Sequence, residues 1–259
     1  MSDLVAFVLM FSIIISGVGL VSTGAFASLA ELSDREQIEN SERGMKSAAV
    51  TLDDIHRQGD TRRSFNLALG GGSIAYNESE IEVSSPDAAT LNETHGVNAL
   101  EHRFDGSPED VTVAYEGGAV FRSPGGSVRY RPTIECDDDL AIVSLVRLEA
   151  DNFAISEGEG PRTVLNPRSV LGEAPVADLG RALIFSTVAE KHQRNVTSFD
   201  GGDGTVRVDV SESANPVEWG QYFERSSSEW KKNGNAVYEC KDVDTTLVRV
   251  TTIELQIVG

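Results

Sequence analysis

Several residue types that would point to a particular chemistry are scarce in this 259-residue chain. It has only two cysteines and no CxxC pair, which excludes the common zinc-binding and dithiol motifs. Its four histidines form no HxH or HExxH pattern, and no GxSxG or phosphate-binding glycine motif occurs. The sequence therefore predicts no catalytic residue, no metal site and no cofactor, and a protein that is not an enzyme.

Positive charge is also scarce. The chain carries 22 Lys and Arg against 41 Asp and Glu, a net charge of −19. A nucleic-acid-binding surface needs clustered basic residues, so the composition excludes nucleic acid as a partner. An acidic, lysine-poor surface is typical of halophile proteins, which stay soluble when salt screens charge. The alternative is an acidic surface on a mesophilic protein.

Charge is absent altogether from Leu4 to Ala30. As a helix this stretch would be roughly 40 Å long, more than the roughly 30 Å of a bilayer's hydrocarbon core. It therefore predicts a transmembrane helix, with membrane lipid as a partner. Gly17, Gly19 and Gly24 would allow close packing against other helices. Since Ala25-Phe26-Ala27 resembles a signal-peptidase site, a cleaved secretory signal remains the alternative.

The apolar stretch continues as an amphipathic segment without a proline before Pro86. Its apolar residues recur at three- and four-residue spacing, which predicts one stripe facing a domain (Met45, Ala48, Ala49, Leu52, Ile55). Residues 4–57 could thus form one helix that stops at Gly59, and we take 1–59 as the first domain. The acidic flank after residue 30 favours an extracellular C-terminal domain, because cytoplasmic flanks prefer Lys and Arg.

From Ser64 onward the apolar period changes from 3.6 to 2, and residues 60–259 are predicted to form a β-rich head. We expect hairpins at 65–76 and 236–258, a meander at 111–130, and a central strand at 140–148. Segments 86–108 and 156–180 read as loops, the second with a helical turn near 176–179. In the last strand the apolar parity changes, through a bulge near 251–252 or burial on both faces. The fold class is therefore α+β, mainly β: a long helix, half membrane and half amphipathic, then an antiparallel β-sandwich-like head.

A few residues are candidates for modification or binding. Cys136 and Cys240 would form one disulfide outside the cell, with buried thiols as the alternative. Three Asn-x-Ser/Thr triplets, at Asn77, Asn92 and Asn195, are candidate glycosylation sites if the domain is exported. The acidic turns 137–139 and 200–204 match calcium loops only loosely. His95 and His102 fall in the predicted loop and are expected to be solvated. Trp219, Tyr222 and Phe223 are expected to share one buried face of a short helix that Asn215 caps.

The layout resembles that of type IV pilins. SDLVAFVLMFSIIISGVGLVSTGAF, followed by the acidic ERGMKSAAVTLDDIHR and later by WGQYFE before a final hairpin, is similar to pilin-like proteins of haloarchaea. The resemblance implies a structural subunit whose helix packs with other pilin-like subunits in a filament core. It also implies a basic leader cut by a prepilin peptidase, which this sequence, starting Met1-Ser2-Asp3, lacks; a start assigned within the leader would explain this. The fifth residue is Val5, where bacterial pilins have an acid.

Three functions follow as hypotheses. The first is a subunit, minor or accessory, of an archaeal pilus-like surface filament, inserted in the cell membrane by one helix with its acidic head extracellular. The second is a single-pass cell-surface protein whose head binds a ligand or mediates adhesion. The third is a secreted hydrolase cleaved after Ala27.

Overall fold

The computed structural model describes residues 2–105, 109–137, 139–151, 153–156, 182–199, 203–226 and 229–258, without the side chains of 2–6, 17–31, 182 and 258. Helices α1 (Ser2–Gln58) and α2 (Pro216–Arg225) are joined by strands that make up most of the remainder. In chain order these strands are β1 (Arg62–Ala68), β2 (Ser73–Asn77), β3 (Glu80–Ser84), β4 (Asn92–Gly96), β5 (Ala99–Phe104), β6 (Val111–Glu116), β7 (Ala119–Ser123), β8 (Ser127–Tyr130), β9 (Ile134–Asp137), β10 (Leu140–Glu149), β11 (Ala154–Ser156), β12 (Ala182–Ser198), β13 (Gly204–Asp209), β14 (Lys231–Lys232), β15 (Val237–Val243) and β16 (Thr245–Val258).

The chain divides into two compact units, Met1–Glu39 and Asn40–Gly259. The first consists of the N-terminal part of α1. The second contains the rest of α1 and all the described strands. Residues 40–58 of the helix therefore belong to the same unit as the sheets.

Three sheets build the second unit. Sheet 1 has the strand order β1-β12-β16-β10-β9, sheet 2 the order β11-β2-β5-β6-β7-β8, and sheet 3 the order β14-β15-β13-β3-β4. In sheet 1, β10 and β16 run parallel, while β16 pairs antiparallel with β12. The predicted head of antiparallel strands therefore needs correction: strands distant in sequence pair at its centre, one of them in parallel.

The prediction of a transmembrane helix is wrong. Among the described residues, no helix combines the length and the apolarity needed to cross a membrane. The apolar part of α1 with described side chains is only 7–16, shorter than the roughly 20 residues a span requires. The part from 32 to 58 carries many Asp, Glu, Arg and Lys side chains. The α+β class with a membrane-inserted half-helix is thus corrected to a mainly β fold, and the predicted single-pass location with an extracellular domain is corrected with it.

Both predicted hairpins are also wrong. β1 pairs with β12 in sheet 1, whereas β2 pairs with β5 and β11 in sheet 2. At the other end of the chain, β15 belongs to sheet 3 and β16 to sheet 1. Phe65 and Leu67 of β1 and Ile74 and Tyr76 of β2 nevertheless bury into one core. The period-2 pattern predicts the positions of these strands correctly, but the chain passes to another sheet at both of these turns.

Other local predictions fared unevenly. β6, β7 and β8 form the expected meander, and β10 is the expected central strand. The predicted loop at 86–108 instead contains the whole of β4 and β5, and five of the six residues of β5 are buried. The predicted loop at 156–180 lies almost entirely outside the described residues, including its helical turn.

The long strand β16 buries opposite faces in its two halves. Val248 and Val250 enter one core, and Ile253, Leu255 and Ile257 enter another. Its pairing with β10 runs without a register shift, and the irregularity in its pairing with β12 lies in β12. Burial on both faces, rather than a bulge at 251–252, therefore explains the change of parity.

The first core surrounds residues 45–55 of α1. The predicted apolar stripe of that segment is confirmed, since each of its five members is at most 1% exposed. Side chains of sheets 1 and 2 cover it from both sides. Because the helix fills the space between the sheets, its burial is a large part of what stabilises this unit.

The second core lies around α2. Pro216 begins this helix, as predicted, but the predicted cap is wrong, because the Asn215 side chain makes no capping hydrogen bond. Trp219, Tyr222 and Phe223 are buried, and Phe223 stacks on Tyr238 with ring centroids 4.4 Å apart. This aromatic group therefore packs the core between sheets 1, 2 and 3, which confirms the expectation.

Replacing Leu52 with Ala should destabilise the second unit by about 3 kcal/mol, because the substitution leaves a cavity in the first core. The matched control is Val50→Ala on the same helix, where the side chain is 49% exposed. The control should change the free energy of unfolding by less than about 0.5 kcal/mol. Urea titrations measure the free energy of unfolding of both variants. Equal losses would contradict the conclusion that the buried stripe stabilises this unit.

Candidate functional site

The described N-terminal part of α1 exposes an unusual apolar surface. Eight large apolar side chains between residues 7 and 16 are 53–70% exposed: Phe7, Val8, Leu9, Met10, Phe11, Ile13, Ile14 and Ile15. Successive helical residues are about 100° apart, so five consecutive ones already point all round the axis. The surface is therefore apolar on every side, unlike the single stripe of residues 45–55.

His102 holds the start of the docked part of α1. Its Nε2 lies 2.9 Å from the carbonyl oxygen of Leu69, and its Nδ1 lies 2.8 Å from Oγ of Ser41 on the helix. Because a carbonyl can only accept, Nε2 carries the proton, and Nδ1 accepts from the Ser41 hydroxyl. Burial lowers the pKa of His102 to about 4, so the ring is neutral at pH 7.

Glu42, the next helical residue, binds two arginines of sheet 2. Nη1 of Arg122 donates to its Oε1 at 2.8 Å, and Nε of Arg129 lies 3.0 Å from its Oε2. Glu42 is only 9% exposed, so its charged carboxylate needs such cationic partners. This pair fixes the rotation of α1 relative to β7 and β8.

His56 holds the other end of the docked helix. Its Nδ1 lies 2.7 Å from Oγ1 of Thr251, and its Nε2 lies 2.6 Å from Oγ of Ser144. Burial and then the charge of Arg249 lower the pKa of His56 to about 4. Arg249 also donates to the backbone carbonyl of His56, near the end of the helix. Both ring nitrogens are thus occupied by structural contacts.

Glu116 organises the start of α2. Its carboxylate accepts from the Ser79 hydroxyl, from the Ala214 backbone N–H at 2.9 Å, from Asn215 Nδ2 at 2.9 Å and from Trp219 Nε1 at 3.2 Å. Burial raises the pKa of Glu116, although these hydrogen bonds act in the opposite direction. Asn215 makes no side-chain cap to the helix because its amide binds Glu116 instead.

These buried polar groups position the helices. Among the described residues, no three His, Cys, Asp or Glu side chains are arranged to hold a metal ion. His56, His102 and Glu116 already bind neighbouring protein groups, and these contacts explain why they can be buried. These buried polar residues therefore connect the helices to the sheets.

Cys136 and Cys240 form a disulfide with an S–S distance of 2.07 Å. Cys136 lies on β9 of sheet 1 and Cys240 on β15 of sheet 3. Both are buried in the second core. The bond therefore ties together two sheets that, among the described strands, share no pairing with each other.

The other predicted sites are distributed widely. Gly17, Gly19 and Gly24 lie within α1, in the segment whose side-chain surroundings are outside the described residues. Asn77 and Asn195 are half-buried, and Asn92 is exposed. The acidic turns at 137–139 and 200–204 fall partly outside the described residues.

No pattern in the sequence indicates the buried polar contacts. His95 and His102 were expected to be solvated but are 7% and 1% exposed. The one usable signal was alternation in β5, where His102 has the parity of the buried Leu100 and Phe104.

Stability should fall as the pH drops below about 6.5, because the buried histidines must remain neutral in the folded state. An unfolded His102 takes up a proton near pH 6.5, whereas the folded one does so only near pH 4. Its contribution is full above pH 6.5, declines below it and is lost by about pH 4. By pH 5 this amounts to about 2 kcal/mol.

His102→Gln should therefore show a smaller loss of stability between pH 7 and pH 5 than the wild type, by about 2 kcal/mol. His192→Gln is the control, since His192 is exposed. Urea unfolding at both pH values measures the difference. An identical loss in wild type and His102→Gln would contradict the assignment.

Comparison with known proteins gives a family but no function. No curated protein and no solved structure matches this chain. The model of one family, described as a family of unknown function (DUF7289), matches residues 1–257. Since this is nearly the whole sequence, the chain belongs to the DUF7289 family.

Proposed function

We infer that the chain is a structural subunit of a filament of the type IV pilin kind. In this proposal the N-terminal parts of α1 from neighbouring copies pack together, and the acidic β-rich unit is exposed to solvent. The observation that carries the proposal is the apolar surface of residues 7–16, which is exposed on all sides. Each of its large side chains contributes up to roughly 2 kcal/mol when it is buried.

The distribution of this surface favours several like neighbours over one partner groove. A helix with one apolar stripe is satisfied by one groove, as residues 45–55 are between sheets 1 and 2. A helix that is apolar all round needs neighbours on every side. Copies of the same uncharged segment supply such neighbours, because each of them has the same requirement.

The charge of the chain sets a condition on this assembly. Each copy carries a net charge of −19, so neighbouring acidic units repel one another at low ionic strength. Raising salt to 1 M shortens the screening length to roughly 3 Å, from roughly 10 Å at 0.1 M. Salt therefore favours assembly both by screening this repulsion and by strengthening apolar contacts when the anion is sulfate or phosphate.

Ile14→Asp should prevent assembly of the full chain. The substitution places an unpaired charge in an apolar contact, which weakens self-association by about 3 kcal/mol, or roughly 100-fold in the concentration required. Val50→Asp is the matched control, because Val50 is a similarly exposed branched side chain on the same helix (49% against 56%). Sedimentation velocity and electron microscopy in detergent-free buffer with 1 M salt measure the result.

Two results of this assembly experiment would overturn the proposal. One is a wild-type chain that stays monomeric at tens of micromolar concentration. The other is an Ile14→Asp variant that assembles as well as Val50→Asp. Flotation with lipid vesicles, without self-association, would also count against the filament, since lipid would then be the occupant of the apolar surface.

A further inference from the structure

The three Asn-x-Ser/Thr triplets differ sharply in what surrounds them. In a strand, residues two apart lie on the same face, so the Asn and the hydroxyl residue of a triplet share one environment. A glycan attached to the Asn must extend into solvent from that face, and it is bulky. The exposure of each pair therefore decides which triplet can carry one in the folded protein.

The triplet at Asn77 is inaccessible, because its Ser79 takes part in the hydrogen bonds around the Glu116 carboxylate. Asn77 is half-buried at the end of β2, and Ser79 is 2% exposed. The Ser79 hydroxyl donates to Glu116 and accepts from the Ala214 backbone N–H at 3.1 Å. The hydroxyl that a glycosyl-transfer enzyme must reach is thus inside the protein.

The triplet at Asn195 faces β4 across a depression. Asn195 and Thr197 are both half-buried, while Val196 between them is 54% exposed. Nδ2 of Asn195 donates to Oε1 of Glu93 at 3.2 Å, and this part of β12 lines the depression together with Glu93 and Val248. A glycan on Nδ2 would have to displace that contact.

The triplet at Asn92 has the opposite geometry. It lies on β4, the strand at the end of the sheet 3 order, which pairs with β3. Asn92 and Thr94 are both exposed, whereas His95, of the other parity, is 7% exposed. The pleat of β4 therefore turns the whole acceptor pair, amide and hydroxyl, toward solvent.

We propose that Asn92 is an N-glycosylation site and that Asn77 and Asn195 are not. The donor is a lipid-diphosphate-linked oligosaccharide. Nδ2 of Asn92 forms a bond to the anomeric carbon, the bond from that carbon to the diphosphate oxygen breaks, and the lipid diphosphate leaves with the electron pair. The amide proton passes to a base of the transferase. The Cys136–Cys240 disulfide is typical of oxidising compartments, which is where such transfer occurs.

A glycan at this position would also protect an edge. An unpaired strand edge can pair with another chain, and natural proteins cover or blunt such edges. Among the described strands, β4 has its second edge free of strand pairing. A sugar chain on its exposed face would obstruct unwanted edge-to-edge pairing between acidic units. This inference goes beyond the filament proposal and does not depend on it.

The test uses the full chain purified from the cells that naturally produce it. Mass spectrometry with peptide fragmentation should find a glycan on Asn92 and none on Asn77 or Asn195. Asn92→Gln and Thr94→Ala should lose the whole glycan mass. Thr94→Ser, which keeps the hydroxyl, should retain it, and so should Asn77→Gln and Asn195→Gln.

An unmodified Asn92 in the wild-type chain, or a glycan on Asn77 or Asn195, would overturn the inference. Sedimentation of the same samples separates this result from the filament proposal. A chain that assembles without a glycan disproves only the glycosylation site. A glycosylated chain that stays monomeric disproves only the filament.

Discussion

The second unit depends on the docking of residues 41–57 of α1 between sheets 1 and 2. Apolar burial supplies the energy of this contact, through five side chains that are essentially inaccessible. Polar contacts at its two ends supply the register: Ser41 and Glu42 at one end, His56 at the other. Because apolar contacts are non-directional, a helix could slide along its groove without those polar partners. Their loss would leave buried charges and hydrogen-bond donors unpaired.

Sheet 1 connects the two cores because its long strands are buried on both faces. β10 sends Ala141, Val143 and Leu145 into the second core and Val146 and Leu148 into the first. β16 divides its apolar residues in the same way along its length. A strand that is buried in two cores cannot shift its pairing by one residue without removing both sets of apolar side chains from their cores. The parallel pairing of β10 with β16 is therefore strongly specified, although its partners are about 100 positions apart.

Period and turn residues were enough to locate most strands, α2 and the apolar stripe of α1. They failed at three kinds of feature. The pairing partners of the strands were predicted wrongly. Alternation in β1 and β2 shows that each strand buries one face, but it does not show that the two strands lie in different sheets and face each other across a core. The buried polar groups were not predicted, because His102 and Glu116 are stabilised in the interior by contacts with residues that are far away in the sequence. The prediction of a membrane span was wrong, because an uncharged run indicates an apolar environment but does not distinguish lipid from protein.

The two parts of α1 illustrate that last distinction. Residues 45–55 are apolar on one side, and the chain itself provides the groove that covers them. Residues 7–16 are apolar on all sides and remain more than half exposed at their large side chains. Large contiguous apolar patches are uncommon on protein surfaces and are frequent at interaction sites. Since the chain otherwise carries a net charge of −19, apolar attraction and acidic repulsion act on different parts of the same molecule. In the proposed filament, such a division would confine association to the uncharged segment, because contacts between the acidic units are opposed by their charge.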